Sequence, residues 1–159
     1  MAILSDKSII DLVKNKEIII DPFQELNLTP NGYDLTVEEI EIPGGKKVNS
    51  NSLIITPGER FAISTKEIIS CGENHCAQLW LRTSWARKGI MCSFGKIDSG
   101  FKGNLTLLGL NSSKDEVAIA IGNTFAQIVF EELSTPADEL YSERSGKYQN
   151  QKGITWSKE

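Results

Sequence analysis

From Glu17 to Leu133 the chain alternates brief runs of β-forming residues with turn residues, at roughly ten residues per run and turn. The runs are 17–20, 33–42, 52–57, 60–68, 77–84, 90–97, 104–111, 116–121 and 125–133. Breaks such as Pro30-Asn31-Gly32 and Pro43-Gly44-Gly45 fall between them, where proline fixes φ and glycine admits turns closed to other residues. Parallel βαβ units need crossovers of roughly a dozen residues or more, which this spacing does not offer. The pattern predicts an all-β sandwich or jelly roll. One short helix precedes it. In "LSDKSIIDLVKNKEI" Ser5 is placed to cap, Asp6 suits the first turn, and Ile9, Ile10 and Val13 share one face. "SWARKG" (84–89) predicts a single helical turn between two strands.

A chain of 159 residues fits one domain, residues 1–159, with a single adequate core. Its 40% hydrophobic and 24% charged residues are ordinary for a globular protein. No apolar run approaches the roughly 18 residues that span a bilayer, and "MAILSDKS" lacks the layout of a signal peptide. The expectation is a cytoplasmic protein with no membrane partner. A net charge of −4 argues against a nucleic-acid surface, though not against a small anion gripped by a local Arg and Lys cluster. The three cysteines, Cys71, Cys76 and Cys92, are odd in number and form no disulfide framework. "CGENHC" (71–76) invites a metal reading. It lacks a CxxC spacing and a distant second pair, so a turn carrying buried thiols is expected instead.

From about residue 134 to 159 the chain has no sustained period and is rich in Lys, Ser, Gln and Gly. Such a tail is ordinarily solvated. Yet Tyr141, Tyr148 and Trp156, interleaved with Arg144, Lys147 and Lys152, suit a segment that closes over an anionic ligand.

Three stretches carry candidate chemistry. "RTSWAR" offers Arg82, Thr83, Ser84 and Arg87, two guanidinium forks and two hydroxyls at a strand end, which is suitable for phosphate oxygens. Alone, it reads more readily as a polar strand-to-turn junction. "NGYDL" (31–35) delivers Asp34 from a turn into a strand. "IDSGFKGNLTLLGLN" (97–111) places Asp98, a possible general base, and Phe101, a possible stacking ring, at the mouth of a strand.

Their order and spacing resemble the dUTPase and dCTP deaminase family over nearly the whole chain. "GKIDSGFKGNLTLLGLNS" (95–112) is similar to the third signature of trimeric dUTPases, "RTSWARKGI" to the phosphate-gripping second, "NGYDL" to the first and "GNTFAQIVF" (122–130) to the fourth. "ILSDKSI" and "YSERSGKYQNQKG" (141–153) are similar instead to the deaminase branch, and the glycine-rich fifth dUTPase signature is absent. The resemblance implies a distorted jelly roll, a β-clip sandwich, with a short N-terminal helix and an irregular closing tail. In family deaminases a Glu lies ten residues after the aspartate and shuttles protons; here that position is Leu108.

What the resemblance implies is therefore a dUTP diphosphatase that yields dUMP and pyrophosphate. Asp98 would activate water, Phe101 would lie against the deoxyribose, and the strand around Thr106 would read uracil through its backbone. Arg82, Thr83, Ser84 and Arg87 would hold phosphates, with Gln127 bracing their loop and Tyr141, Lys147 and Gln151 supplied by the tail. Mg²⁺ would ride on the triphosphate, with Asp34 reaching it through water or serving structure only. The assembly implied is a homotrimer with sites at subunit boundaries. The alternatives are a dCTP deaminase, a bifunctional deaminase and dUTPase, or a non-catalytic nucleotide-binding regulator of the same fold.

Overall fold

The computed structural model describes residues 2–45 and 47–157; Met1 and Lys46, and Lys158 and Glu159 at the end of the expected tail, lie outside the described residues. Helix α1 (Asp6–Lys14) starts where Ser8 N–H donates to Ser5 Oγ at 3.3 Å. Ile9 is buried, and Leu12 and Val13 pack partly on the core beside it.

Strands follow as β1 (Ile19–Asp21), β2 (Leu28–Thr29), β3 (Gly32–Glu41), β4 (Lys47–Val48), β5 (Ser52–Ile55), β6 (Arg60–Thr65), β7 (Ile68–Ser70) and β8 (His75–Leu81). After the short helix α2 (Thr83–Ala86) come β9 (Ile90–Cys92), β10 (Lys96–Ile97), β11 (Lys102–Gly103), β12 (Thr106–Asn111), β13 (Val117–Ala120) and β14 (Thr124–Glu132). A last turn of helix, α3 (Tyr141–Arg144), opens the tail. The largest sheet runs β10-β8-β14-β3-β6-β12-β9, with β2 and β4 also on β3; β1-β7-β11 and β13-β5 form two smaller ones. The described pairings are antiparallel.

Strand β3 is where the sheet turns over. Tyr33 to Thr36 pair with β14, whereas Val37 to Glu41 pair with β6, and register shifts fall at Val37–Glu39 and Thr124–Ala126. Irregularities of this kind increase local twist, and they curl the sheet into the distorted jelly roll expected from the sequence. Tyr33, Leu35, Val37 and Ile40 of β3 enter the core with Phe61 and Ile63 of β6 and Phe125, Ile128 and Phe130 of β14. The Phe125 ring meets Phe61 edge-on at 6.0 Å and Trp85 at 5.5 Å. Removing one such buried ring typically costs about 3–5 kcal/mol.

Strand β12 alternates cleanly: Leu107 and Gly109 face inward and Leu108 outward. A Cβ at Gly109 would lie 2.3 Å from the Phe61 ring, so only glycine fits there. Asn111 ends the strand fully buried and fully bonded, its Nδ2 donating to Ile55 O (2.9 Å) and Asp115 O (2.8 Å) while Oδ1 accepts from Ser113. One predicted strand, 90–97, divides at Ser93-Phe94-Gly95 because the chain changes partner there: β9 pairs with β12, and β10 pairs with β8. "SWARKG" does form its turn of helix, α2. Among the described residues no helix is long and apolar enough to cross a membrane.

Candidate functional site

The loop from β10 to β11 carries Asp98, and the "CGENHC" turn fixes its backbone. Ser99 Oγ donates to Gly72 O (3.0 Å) and Glu73 O (2.7 Å), and Gly100 N–H donates to Gly72 O. Gly100 has φ +80°, and a Cβ there would meet Leu140 at 2.6 Å. Cys71 and His75 are buried beneath this turn, and burial pushes the Cys71 thiol far up. Among the described residues no group of three or more His, Cys, Asp or Glu side chains could hold a metal ion. The "CGENHC" turn supports the Asp98 loop through its Gly72 and Glu73 carbonyls.

Asp98 projects from this loop half-exposed, and its Oδ1 lies 3.0 Å from Lys96 Nζ. The hydrogen bond and the charge of Asp98 hold the Lys96 ammonium above its ordinary pKa. Phe101 is almost fully buried, with the Tyr141 ring edge-on at 5.5 Å.

A cleft of about 390 Å³ opens between the Asp98 loop, the start of β12 and the tail. Asp98, Phe101, Thr106, Tyr141 and Gln151, five of the residues singled out by sequence, line it together. Leu108, Lys96 and Trp156 line it too. Thr65 N–H donates to Leu105 O at 3.0 Å, so antiparallel alternation turns the Thr106 and Leu108 N–H and C=O groups away from β6. On the opposite edge the pairing with β9 begins only at Gly109. The backbone of Thr106 and Leu108 therefore presents donors and acceptors where both residues meet the cleft.

The tail is held down by many polar stitches, with the Tyr141 and Tyr148 rings packed partly on the core. Tyr141 N–H donates to Ser99 O (2.9 Å), and Tyr148 N–H to Tyr141 Oη (2.9 Å). Gln149 bonds both Lys102 N–H and Gly100 O, and Gln151 Nε2 donates to Asn104 O at 2.6 Å. Thr155 N–H reaches Thr106 Oγ1 (2.9 Å), and Trp156 Nε1 reaches Glu41 Oε1 (2.8 Å). Lys147 lies on the exposed side of the tail and does not line the cleft.

The phosphate-type stretch lies elsewhere on the chain. Arg82 Nε is 3.0 Å from Asp34 Oδ2, and its Nη1 bonds the Thr124 hydroxyl. Gln127 Nε2 donates to Asp34 Oδ1 at 3.2 Å, so Gln127 braces Arg82 through Asp34. Both Asp34 oxygens are thus occupied by side chains. Thr83, Ser84 and Arg87 are exposed on α2, which Trp85 anchors by donating from Nε1 to Thr124 O (2.9 Å). None of Asp34, Arg82, Thr83, Ser84, Arg87 or Gln127 lines the Asp98 cleft. Lys147 apart, one chain brings the predicted residues together in two groups, a cleft that holds Asp98 and a cationic corner around Arg82.

Sequence reasoning passed over Lys96, although two residues before Asp98 on a strand is a same-face spacing. It also passed over Glu67, a carboxylate 1% exposed whose Oε2 accepts from Thr36 N–H at 2.9 Å. Burial pushes the Glu67 pKa up. Nothing local in "STKEIIS" distinguishes that glutamate from a surface one.

Residues 3–133 match the family model described as dCTP deaminase-like. The chain is 38% identical over 146 residues to a dCTP deaminase of Pyrococcus horikoshii, covering 90% of this chain and 92% of that protein. It is 35% identical over 160 residues to a probable deoxyuridine 5'-triphosphate nucleotidohydrolase of Sulfolobus islandicus rod-shaped virus 1, covering 99% of each. The crystal structure of 2'-deoxycytidine 5'-triphosphate deaminase from Agrobacterium tumefaciens superposes with a TM-score of 0.70 at 18% identity; it covers 83% of this chain, which spans about half (49%) of that one.

Proposed function

Because the chain belongs to the dCTP deaminase-like family, we propose that it works in the cytoplasm as a dUTP diphosphatase. The observation that carries this reading is Leu108. It stands 42% exposed at the cleft that holds Asp98, in the position where deaminases of the family place a proton-shuttling Glu. Deamination needs a group there that gives and takes protons, and a leucine does neither. Hydrolysis at phosphorus needs no proton shuttle at that position.

Asp98 orients a water and takes its proton. The water oxygen bonds to the α-phosphorus, the bridging bond to the β-phosphate breaks, and dUMP and pyrophosphate result. Phe101 packs against the deoxyribose, and the Thr106 and Leu108 backbone groups pair with uracil. Cytosine presents a different donor–acceptor pattern and pairs less well. Mg²⁺ bound to the nucleotide would offset the charge of the triphosphate oxygens. This chain's carboxylates fit such a passenger better than a resident ion, since Asp34 is engaged by Arg82 and Gln127.

The cationic corner lies outside the cleft of its own chain, so Arg82, Thr83, Ser84 and Arg87 serve the cleft of a neighbouring copy in a closed homotrimer. Trp80 on β8 and Met91 on β9, 59% and 60% exposed, are apolar side chains that contacts between copies would cover, which supports this reading. Nucleic acid has no part in this reading.

The relatives named dCTP deaminase favour a second reading, deamination of dCTP. One experiment separates the two: the protein is incubated with Mg²⁺ and either dUTP or dCTP, and pyrophosphate and ammonia are measured. Pyrophosphate from dUTP without ammonia from dCTP is expected. Ammonia from dCTP would favour the deaminase.

A further inference from the structure

We propose that Lys96 is a positioning residue for Asp98, holding one carboxylate oxygen so that the other faces the attacking water. This rests on the dUTP diphosphatase reading and adds a residue to it. Lys96 and Asp98 lie two apart at the edge strand β10, on one face, with Nζ 3.0 Å from Oδ1. The pair lines both the 390 Å³ cleft and a neighbouring cavity of about 420 Å³ that runs toward α3. Lys96 also lines the larger cavity along β8. The ammonium thus stands where the openings onto Asp98 converge.

Two physical consequences follow. A carboxylate facing a triphosphate is repelled by it, and an adjacent cation lowers that repulsion. A carboxylate held at Oδ1 has lost most of its rotational freedom, so Oδ2 is presented in one direction. Side-chain exposures of 69% for Lys96 and 48% for Asp98 make the pair weak while solvated. Nucleotide filling the cleft excludes water and strengthens it. The Asp98 carboxylate, by hydrogen bond and charge, keeps Lys96 protonated.

The test is steady-state hydrolysis of dUTP with Mg²⁺ by wild type, Lys96→Met, Lys96→Gln and Lys96→Arg, with melting temperatures alongside. For the Met and Gln variants kcat is expected to fall roughly 10- to 100-fold while KM changes little, and Arg should restore most of it. Gln repeats the measurement if Met folds poorly. Wild-type kcat in the Met and Gln variants overturns the inference, as does a loss confined to KM, which would make Lys96 a phosphate contact. A wild-type protein that forms no dUMP from dUTP overturns the underlying reading instead.

Discussion

Asp34 holds Arg82 at 3.0 Å, and the strand neighbour of Asp34, Gln127, holds the aspartate's other oxygen at 3.2 Å. The pairing accounts for an aspartate that is 8% exposed in a strand and for an arginine that leaves a strand end in a fixed direction. Arg82 is partly exposed, so the ion pair itself is worth about 1 kcal/mol or less. Its effect falls on aim. Asp34→Asn should lower the melting temperature by only a few degrees and raise KM for dUTP roughly tenfold, with a smaller change in kcat. Unchanged kinetics would show that Arg82 does not need Asp34.

Asp98→Asn keeps the shape of the loop, because Ser99 and Gly100 supply its anchoring bonds. Loss of a positioned base costs roughly 10²–10⁴-fold. Turnover should fall by that factor, while calorimetric titration with a non-hydrolysable dUTP analogue gives near wild-type affinity. Near-full turnover would remove Asp98 as the base.

Deleting residues from Ser142 onward should cut kcat/KM at least roughly tenfold while leaving most of the melting temperature intact. The tail contributes hydrogen bonds to Gly100, Lys102, Asn104 and Thr106, and the β core does not depend on them. Equal activity in the truncated protein would show that the tail takes no part in closing the cleft.

The sequence made the β-runs visible because turn residues punctuate them, and Ser5 and "SWARKG" because caps and short helical turns have local signatures. Asp98, Phe101, Thr106, Tyr141 and Gln151 were recognised by motif and do share one cleft. The tail was harder to read. Its order comes from Gln149 and Gln151 bonding distant backbone groups and from Thr155 N–H bonding the Thr106 hydroxyl, and such bonds leave no periodicity. Glu67 was invisible for a related reason: its burial against Thr36 is set by the turn between β6 and β7 and by the fold of β3 above it.

Glu67 gives a pH dependence with a definite sign. Burial raises its folded pKa above the unfolded value, opposed by the bond from Thr36, so the folded state keeps its proton where the unfolded state has lost it. The contribution is full below the ordinary glutamate range and is lost as pH rises from there through the folded pKa. In chemical denaturation across pH, Glu67→Gln should flatten this descending segment. A wild-type slope in the variant would assign it to another group.

The proposed function turns on Leu108, and its own substitution is the sharpest check. Wild-type protein should release no ammonia from dCTP even at high enzyme concentration. Leu108→Glu places a carboxyl on the outward face of β12, where a bound base would bury it and disfavour its ionised form. A working shuttle also needs hydrogen bonds that hold it in one orientation, and a position occupied by leucine has no reason to keep them. The variant should therefore gain little or no deaminase activity. Its dUTP hydrolysis should fall only about threefold to tenfold, because Asp98 is untouched and the β12 backbone still meets the base. Efficient ammonia release by the variant would show that one side chain separates the two activities on this scaffold. Ammonia release by the wild type would mean that a residue other than the one at 108 moves the protons.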